Sequence, residues 1–347
     1  MRPRSQLSIV VRDASAAGAA RRASALLAAQ LGLDAARASD AAIVVTELVS
    51  NLVQHGGGGE LLLGALATSL DGERDDRNGD ARGLELVAID RGPGMADVER
   101  CLQDGFSTAG TPGNGLGAIR RLSHELDLYS QPGAGTVVLA RLWVKAPLPS
   151  RSSPPGLTVG AVCVPMSGES VCGDAWAVRR FGDATAILVA DGLGHGPAAA
   201  EAAESAIAVF TSRAYGGPEE VLRACHGALK KTRGAAVAVA WLDGTHVRYA
   251  GVGNLAAQIV SASGVANLVT HNGTIGYEAP RFHAFSYPRP PGAQLVVCTD
   301  GISSRYRLDG YPGITRRHPT LAAALLYRDF GRRRDDATVV TVRPRDA

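Results

Sequence analysis

The chain has 347 residues, 46% hydrophobic and 20% charged, a globular balance that excludes intrinsic disorder. At roughly 150 residues per domain it implies two domains. A formal net charge of +3 is too small to mark nucleic acid or an anionic membrane as the main partner, and no apolar run reaches the roughly 20 residues of a membrane span.

Leu7 to Val11 alternates like a strand. Ala16 to Leu31 is rich in alanine and leucine and reads as a helix ending near Gly32. Asp34 to Gln54 reads as a second helix, with Ile43, Val44, Leu48, Leu52 and Val53 at helical spacing. Leu61 to Leu70 and Leu84 to Ile89 read as strands flanking a polar hairpin tip, Asp71 to Gly83. Leu116 to Glu125 reads as a short helix and Thr136 to Val144 as a closing strand. Irregular mixing of these elements favours α+β over a regular β-α-β winding.

A proline- and serine-rich stretch, residues 146–157, then forbids a continued helix or central strand and reads as a semi-rigid tether. It divides a block of 1–145 from one of 158–347, each long enough to bury a core. Beyond it, strands are expected at Gly160–Val164, Trp176–Phe181, Ala184–Ala190, Ala235–Leu242, His246–Gly251, Ala256–Ser261, Gln294–Thr299 and Thr338–Val342. Two helices are expected, Pro197–Ala214 and Glu219–Lys231, giving a helix-flanked β-sandwich (α-β-β-α). The five scattered cysteines lack CxxC spacing and argue against both a disulfide scaffold and a structural zinc site. With no signal-peptide core after Met1-Arg2-Pro3-Arg4, a cytoplasmic protein is expected.

Two constellations carry chemistry. In the first block Glu47 and Asn51, four apart, share one helix face. Asp90-Arg91-Gly92-Pro93-Gly94 places an acid in a glycine turn after a strand. Gly113-Asn114-Gly115-Leu116-Gly117 opens a helix, where free N–H groups favour phosphate, and Gly133-Ala134-Gly135-Thr136 leads into the last strand. An amide oxygen at Asn51 suits Mg²⁺ on phosphates, Asp90 can accept from a purine amine, and Glu47 is placed to polarise a hydroxyl. Each piece alone is commonplace; the ordered set is specific.

This block, Leu7 to Trp143, resembles the GHKL (Bergerat) ATP-binding domain of histidine kinases, gyrase and anti-sigma-type serine/threonine kinases, nearest the stressosome switch kinases. The resemblance is carried by Thr46-Glu47-Leu48-Val49-Ser50-Asn51, the Asp90 turn, Gly113 to Leu122 and Ser130 to Thr136. It implies ATP with Mg²⁺ as cofactor, Asn51 on Mg²⁺, Asp90 reading adenine, Thr136 supporting that pocket, and Glu47 as general base. The nucleotide would also be held by Gly92, Gly94, Gly113, Asn114, Gly115, Leu116 and Gly117.

In the second block, aspartates sit in tight turns after apolar strands: Asp174, Asp191-Gly192, Asp300-Gly301 and Asp335-Asp336. Carboxylates converging from strand ends are what a two-metal Mg²⁺ or Mn²⁺ site needs. His195 has no second histidine at ligand spacing and reads as bonding its turn; the run Arg332-Arg333-Arg334 is either a solvated loop or a grip for phosphate or an acidic partner. The span Val159 to Val342 resembles the SpoIIE-type, metal-dependent (PPM) serine/threonine phosphatases. The matching residues are Gly168 to Asp174, Asp191 to Gly196, Thr232 to Ala236, Gly251 to Asn254, Asp300-Gly301 and Asp335 to Thr338. The resemblance implies two Mn²⁺ or Mg²⁺ ions held by Asp174, Asp191, Asp300, Asp335 and the Gly192 carbonyl. No match exists for the phosphate-clamping arginine of eukaryotic relatives, so the orientation of substrate phosphate stays open.

Together the resemblances imply a bifunctional partner-switching regulator, with a kinase and a phosphatase acting on STAS-domain anti-sigma antagonists or stressosome-type proteins. A sigma factor or a partner phosphatase are further candidate partners. The alternative is an ATP-gated phosphatase whose first domain only binds nucleotide and partner.

Overall fold

The computed structural model describes residues 5–67, 82–102, 115–145, 156–182, 184–278 and 281–344. In the first part, helix α1 (Ala16–Leu31) stops at Gly32, whose φ of 79° turns the chain left-handed. Helix α2 (Ala35–Gln54) starts where the Asp34 carboxylate accepts from the Arg37 N–H. Its Ala41, Val44, Val45, Leu48, Val49 and Leu52 are all buried, the stripe its spacing predicts. They pack on an antiparallel sheet of β1 (Leu7–Val11), β2 (Gly59–Ala67), β3 (Arg82–Ile89), β4 (Glu125–Gln131) and β5 (Gly135–Trp143). The strand order is β1-β2-β3-β5-β4. A single turn α3 (Val98–Cys101) and helix α4 (Gly115–Leu122) complete this part.

The second part is a sandwich. One sheet runs β13-β10-β9-β8-β7 and the other β12-β11-β14-β15-β6. These strands are β6 (Leu157–Val164), β7 (Asp174–Phe181), β8 (Ala184–Gly192), β9 (Ala235–Leu242), β10 (His246–Val252), β11 (Ala256–Ser261), β12 (Gly264–Leu268), β13 (Phe285–Pro288), β14 (Gln294–Cys298) and β15 (Ala337–Pro344). Helices α5 (Pro197–Ser212) and α6 (Pro218–Ala228) cover the first sheet, and α7 (Pro319–Phe330) the second.

Sequence patterning missed α3, α7, β4, β12 and β13. Residues 123–125, expected at the end of a helix, instead turn into β4, and helix α4 stops at Leu122. Helix α7 escapes a periodicity test because Leu321 to Leu326 are buried on every side, leaving no polar stripe.

That all-round burial has a structural cause. Helix α7 lies between the two parts, packed on β6 and β15 behind it and on β5, β3 and β4 of the first sheet in front. Leu62, Val87, Ile89, Val137 and Leu139 thus share one apolar cluster with Leu321, Leu325, Val162 and Val339. Two blocks joined by a tether describe the chain incompletely: a common core joins them. Residues 146–155 of the expected tether lie outside the described residues.

Polar groups close the seam. Arg141, nearly buried, donates to Glu85 Oε2 at 2.6 Å and reaches Thr320 Oγ1 and His318 Nε2 of the second part. Asp127 accepts from the His318 N–H and from Arg317. Gln6 pairs with the backbone of Cys163 through its own N–H and its side chain.

Candidate functional site

The first site forms where α2, the end of β3 and the start of α4 meet. Glu47 and Asn51 project from α2 toward Gly115; a side chain there would begin 3.0 Å from Glu47 Oε2 and 3.4 Å from Asn51 Oδ1. Leu116 packs into the domain core and Gly117 is buried behind it. Asn51 Nδ2 is buried without a hydrogen-bond partner among the described residues, an amide left free for a ligand.

Asp90 follows β3. Its Oδ1 accepts from the N–H of Gly92 at 2.8 Å and of Thr136 at 3.1 Å. Burial pushes the Asp90 carboxyl up, and those two N–H donors oppose the shift. Thr136 Oγ1 lies 2.8 Å from Ser130 Oγ, which fixes its hydroxyl beside Asp90. Gly94 lies against the Gln131 carbonyl, closing the far side of the turn. Glu47, Asn51, Asp90, Gly92, Gly94, Gly115, Leu116, Gly117 and Thr136 are therefore placed on adjoining elements. Gly113 and Asn114 lie outside the described residues.

The second site lies where strands of both sandwich sheets end. Asp174 opens β7 and stands directly across from Asp191 at the end of β8. Asp174 is buried and accepts from Thr299 Oγ1 at 2.8 Å; that same oxygen accepts from the Thr338 N–H at 2.9 Å. Thr299 thereby ties the end of β14 and the start of β15 to β7, a positioning role that spacing alone does not reveal. Asp300 is next in the chain and accepts from Asn254. A side chain at Gly301 would strike the Asp336 carbonyl, so glycine lets the Asp300 and Asp335 turns approach. Gly192 is likewise pressed on the Ala199 backbone at the head of α5.

The electrostatics follow from that convergence. Burial first, then the charges of Asp174, Asp300 and Asp335, push Asp191 up to about 9. Burial also raises Asp174, and burial together with Asp335 raises Asp300. Mutual repulsion among oxygen-only donors is what a bound dication relieves, so this donor set fits Mg²⁺ or Mn²⁺. Among the described residues no three acid, histidine or cysteine side chains stand close enough to form a ready cage for one ion. Asp336 acts on the backbone instead, since its carboxylate accepts from the N–H groups of Met166 and Gly173 and pins the 165–173 loop.

Two other sequence candidates find partners. His195 Nδ1 lies 2.7 Å from Glu169 Oε1, so it bonds the neighbouring loop as its turn position suggests. Arg333 bonds Glu60 at 2.7 Å and stacks over Tyr327, so it belongs to the seam between the two parts, with its side chain still half exposed. The described residues include no helix long and apolar enough to cross a membrane.

An ATPase-type sheet-and-helix domain joined to a two-sheet phosphatase sandwich is the class that this fold and these sites define. Comparison with known proteins agrees. Residues 10–142 match the histidine kinase-like ATPase domain, and residues 182–345 match stage II sporulation protein E (SpoIIE). The serine/threonine-protein kinase RsbT of Bacillus subtilis is 32% identical over 127 residues, 37% of this chain and 88% of that protein. The phosphoserine phosphatase RsbX of the same organism is 24% identical over 139 residues, 39% of this chain and 70% of that one. A solved chain described as part of the bacterial stressosome, a modular system adapted to control secondary messenger signaling, is 32% identical. It has a TM-score of 0.50 and covers 54% of this chain and 100% of its own. The chain belongs to the RsbT-type family of histidine kinase-like ATPases, fused here to a domain that matches stage II sporulation protein E (SpoIIE).

Proposed function

We propose that the chain both adds and removes phosphate on Ser or Thr of a STAS-domain partner in a partner-switching pathway. In the first domain Glu47 accepts the hydroxyl proton of the substrate, Asn51 holds the Mg²⁺ that accompanies ATP, and Asp90 with Thr136 accepts the adenine amine. Gly92, Gly94 and the Gly113–Gly117 turn close on the nucleotide through backbone N–H groups. In the second domain Asp174, Asp191, Asp300, Asp335 and the Gly192 carbonyl hold two Mn²⁺ or Mg²⁺. When bound, those ions supply Lewis-acid polarisation of the phosphoryl group. Thr299 keeps Asp174 in place, and Asn254 does the same for Asp300. The observation that carries the reading is the facing pair Asp174 and Asp191, with Asp300 and Asp335 acting on the second by charge. Mn²⁺-dependent phosphate release from a phosphoserine STAS-domain protein tests it: wild type releases phosphate and Asp300→Ala does not. Equal release by both contradicts the site.

A second reading, an ATP-gated phosphatase, is favoured by the seam. Arg91 pairs with Asp329 at 2.8 Å, one residue from the adenine-site Asp90. The loop that follows Asp329 carries Arg333 to Glu60 and then Asp335 to the metal site. Nucleotide occupancy at Asp90 thus has a short covalent and hydrogen-bonded route to a metal ligand.

A further inference from the structure

Beside the metal site lies a cavity of about 370 Å³, lined by Leu193, Gly194, Arg233, Thr274 and Tyr277. Its volume is at the small end of ligand pockets, which run to roughly 300–1,000 Å³. One wall continues the strand pairing that sets the metal site: after Gly192 meets Ala235, the Leu193 N–H donates to the Gly234 carbonyl at 3.0 Å. Arg233 therefore lies next to Gly194, where a side chain would begin 3.2 Å from its Nη1. Gly194 is three residues beyond Asp191, at most about 10 Å of chain.

Three properties of the cavity define an occupant. Arg233 makes no hydrogen bond or ion pair among the described residues, so its guanidinium is an uncommitted anion receptor. Leu193 and Tyr277 border it as exposed apolar side chains, 46% and 63% accessible. A free inorganic anion would use only the arginine; a polypeptide would use the arginine for a carboxylate and the apolar pair for its methylene groups. The reach from Asp191 is at most about three extended residues.

We infer that this cavity is a substrate-specificity subsite, in which Arg233 pairs with an acidic residue within three positions of the phosphoserine on a polypeptide substrate. The inference rests on the phosphatase reading of the neighbouring carboxylates and adds to it the substrate feature that the enzyme selects.

The test uses two synthetic phosphoserine peptides that differ only in Glu or Lys at those flanking positions. Both are given to the full chain in Mn²⁺, as wild type and as Arg233→Glu. The readout is the ratio of kcat/KM for the two peptides, with p-nitrophenyl phosphate turnover normalising for folded enzyme. Wild type favours the Glu peptide on the order of tenfold, and Arg233→Glu inverts the order. A wild-type ratio near one, or a ratio that the substitution leaves as it was, overturns the inference. Equal losses on both peptides and on p-nitrophenyl phosphate also overturn it, because Arg233 would then act on the phosphoryl group itself. Wild type inert toward p-nitrophenyl phosphate in Mn²⁺ fails the underlying phosphatase reading and the inference with it.

Discussion

Arg328 Nη1 donates to the main-chain oxygen of Asp90 at 3.0 Å, so a buried side chain of the second part holds the turn that carries the acid proposed to read adenine. Its other guanidinium nitrogens grip Asp329, which pairs in turn with Arg91. The gating reading predicts that ATP changes the phosphatase rate several-fold in wild type, and that Arg328→Gln brings the ratio with and without ATP close to one. Stopped-flow phosphate release measures both. Wild-type rates that are the same with and without ATP contradict gating.

The pair Arg141 and Glu85 holds the guanidinium that reaches across the seam to Thr320 and His318. Both side chains are nearly buried, so removing Arg141 alone leaves an uncompensated carboxylate and costs about 3–5 kcal/mol. Replacing both, Arg141→Met with Glu85→Leu, restores most of that loss because no buried charge is left unpaired. Urea unfolding midpoints of the two variants decide it; an equal loss in the double variant contradicts the explanation.

Helix α7 predicts joint unfolding. Leu325 is wholly buried in the cluster that both parts share, so Leu325→Ala should cost about 2–5 kcal/mol. Calorimetry of the full chain should show one transition, shifted as a whole by the substitution. Two transitions, only one of which moves, contradict a shared core.

Acidification acts through His318. Burial, then Arg141 and Arg343, hold its imidazole well below the ordinary value of 6.5. Below pH 6.5 the unfolded chain takes up a proton that the folded chain refuses. Its contribution is therefore fully present above that pH and is lost as the pH falls, by about 1.4 kcal/mol per unit, until the folded value is reached. The stability difference between wild type and His318→Gln, followed from pH 7.5 to pH 5 by urea unfolding, should shift against wild type on acidification. A difference independent of pH contradicts the assignment.

What the sequence revealed and what it hid have physical reasons. Helix α2 was legible because one face is buried and the other wet, which writes a period into the residues. The aspartates were legible because each sits beside an apolar strand, Asp191 and Asp300 at a strand end before a glycine and Asp174 and Asp335 just at or before a strand start. Helix α7 is apolar all round, and the seam it fills joins Glu60 to Arg333 and Asp90 to Arg328, pairs more than two hundred residues apart. No local pattern encodes such a contact. Thr299 was hidden for the same reason, since its hydroxyl matters only once the start of β7 and the end of β14, in the two facing sheets, meet.

The most direct test of the two-site account follows phosphate on one STAS-domain protein incubated with the full chain, radiolabelled ATP, Mg²⁺ and Mn²⁺. Wild type should label it transiently, Asp191→Ala should label it and leave the label in place, and Glu47→Ala should never label it yet still strip a pre-phosphorylated sample. Label lost at the wild-type rate in Asp191→Ala, or gained at the wild-type rate in Glu47→Ala, contradicts the assignment of the two chemistries to these two sites.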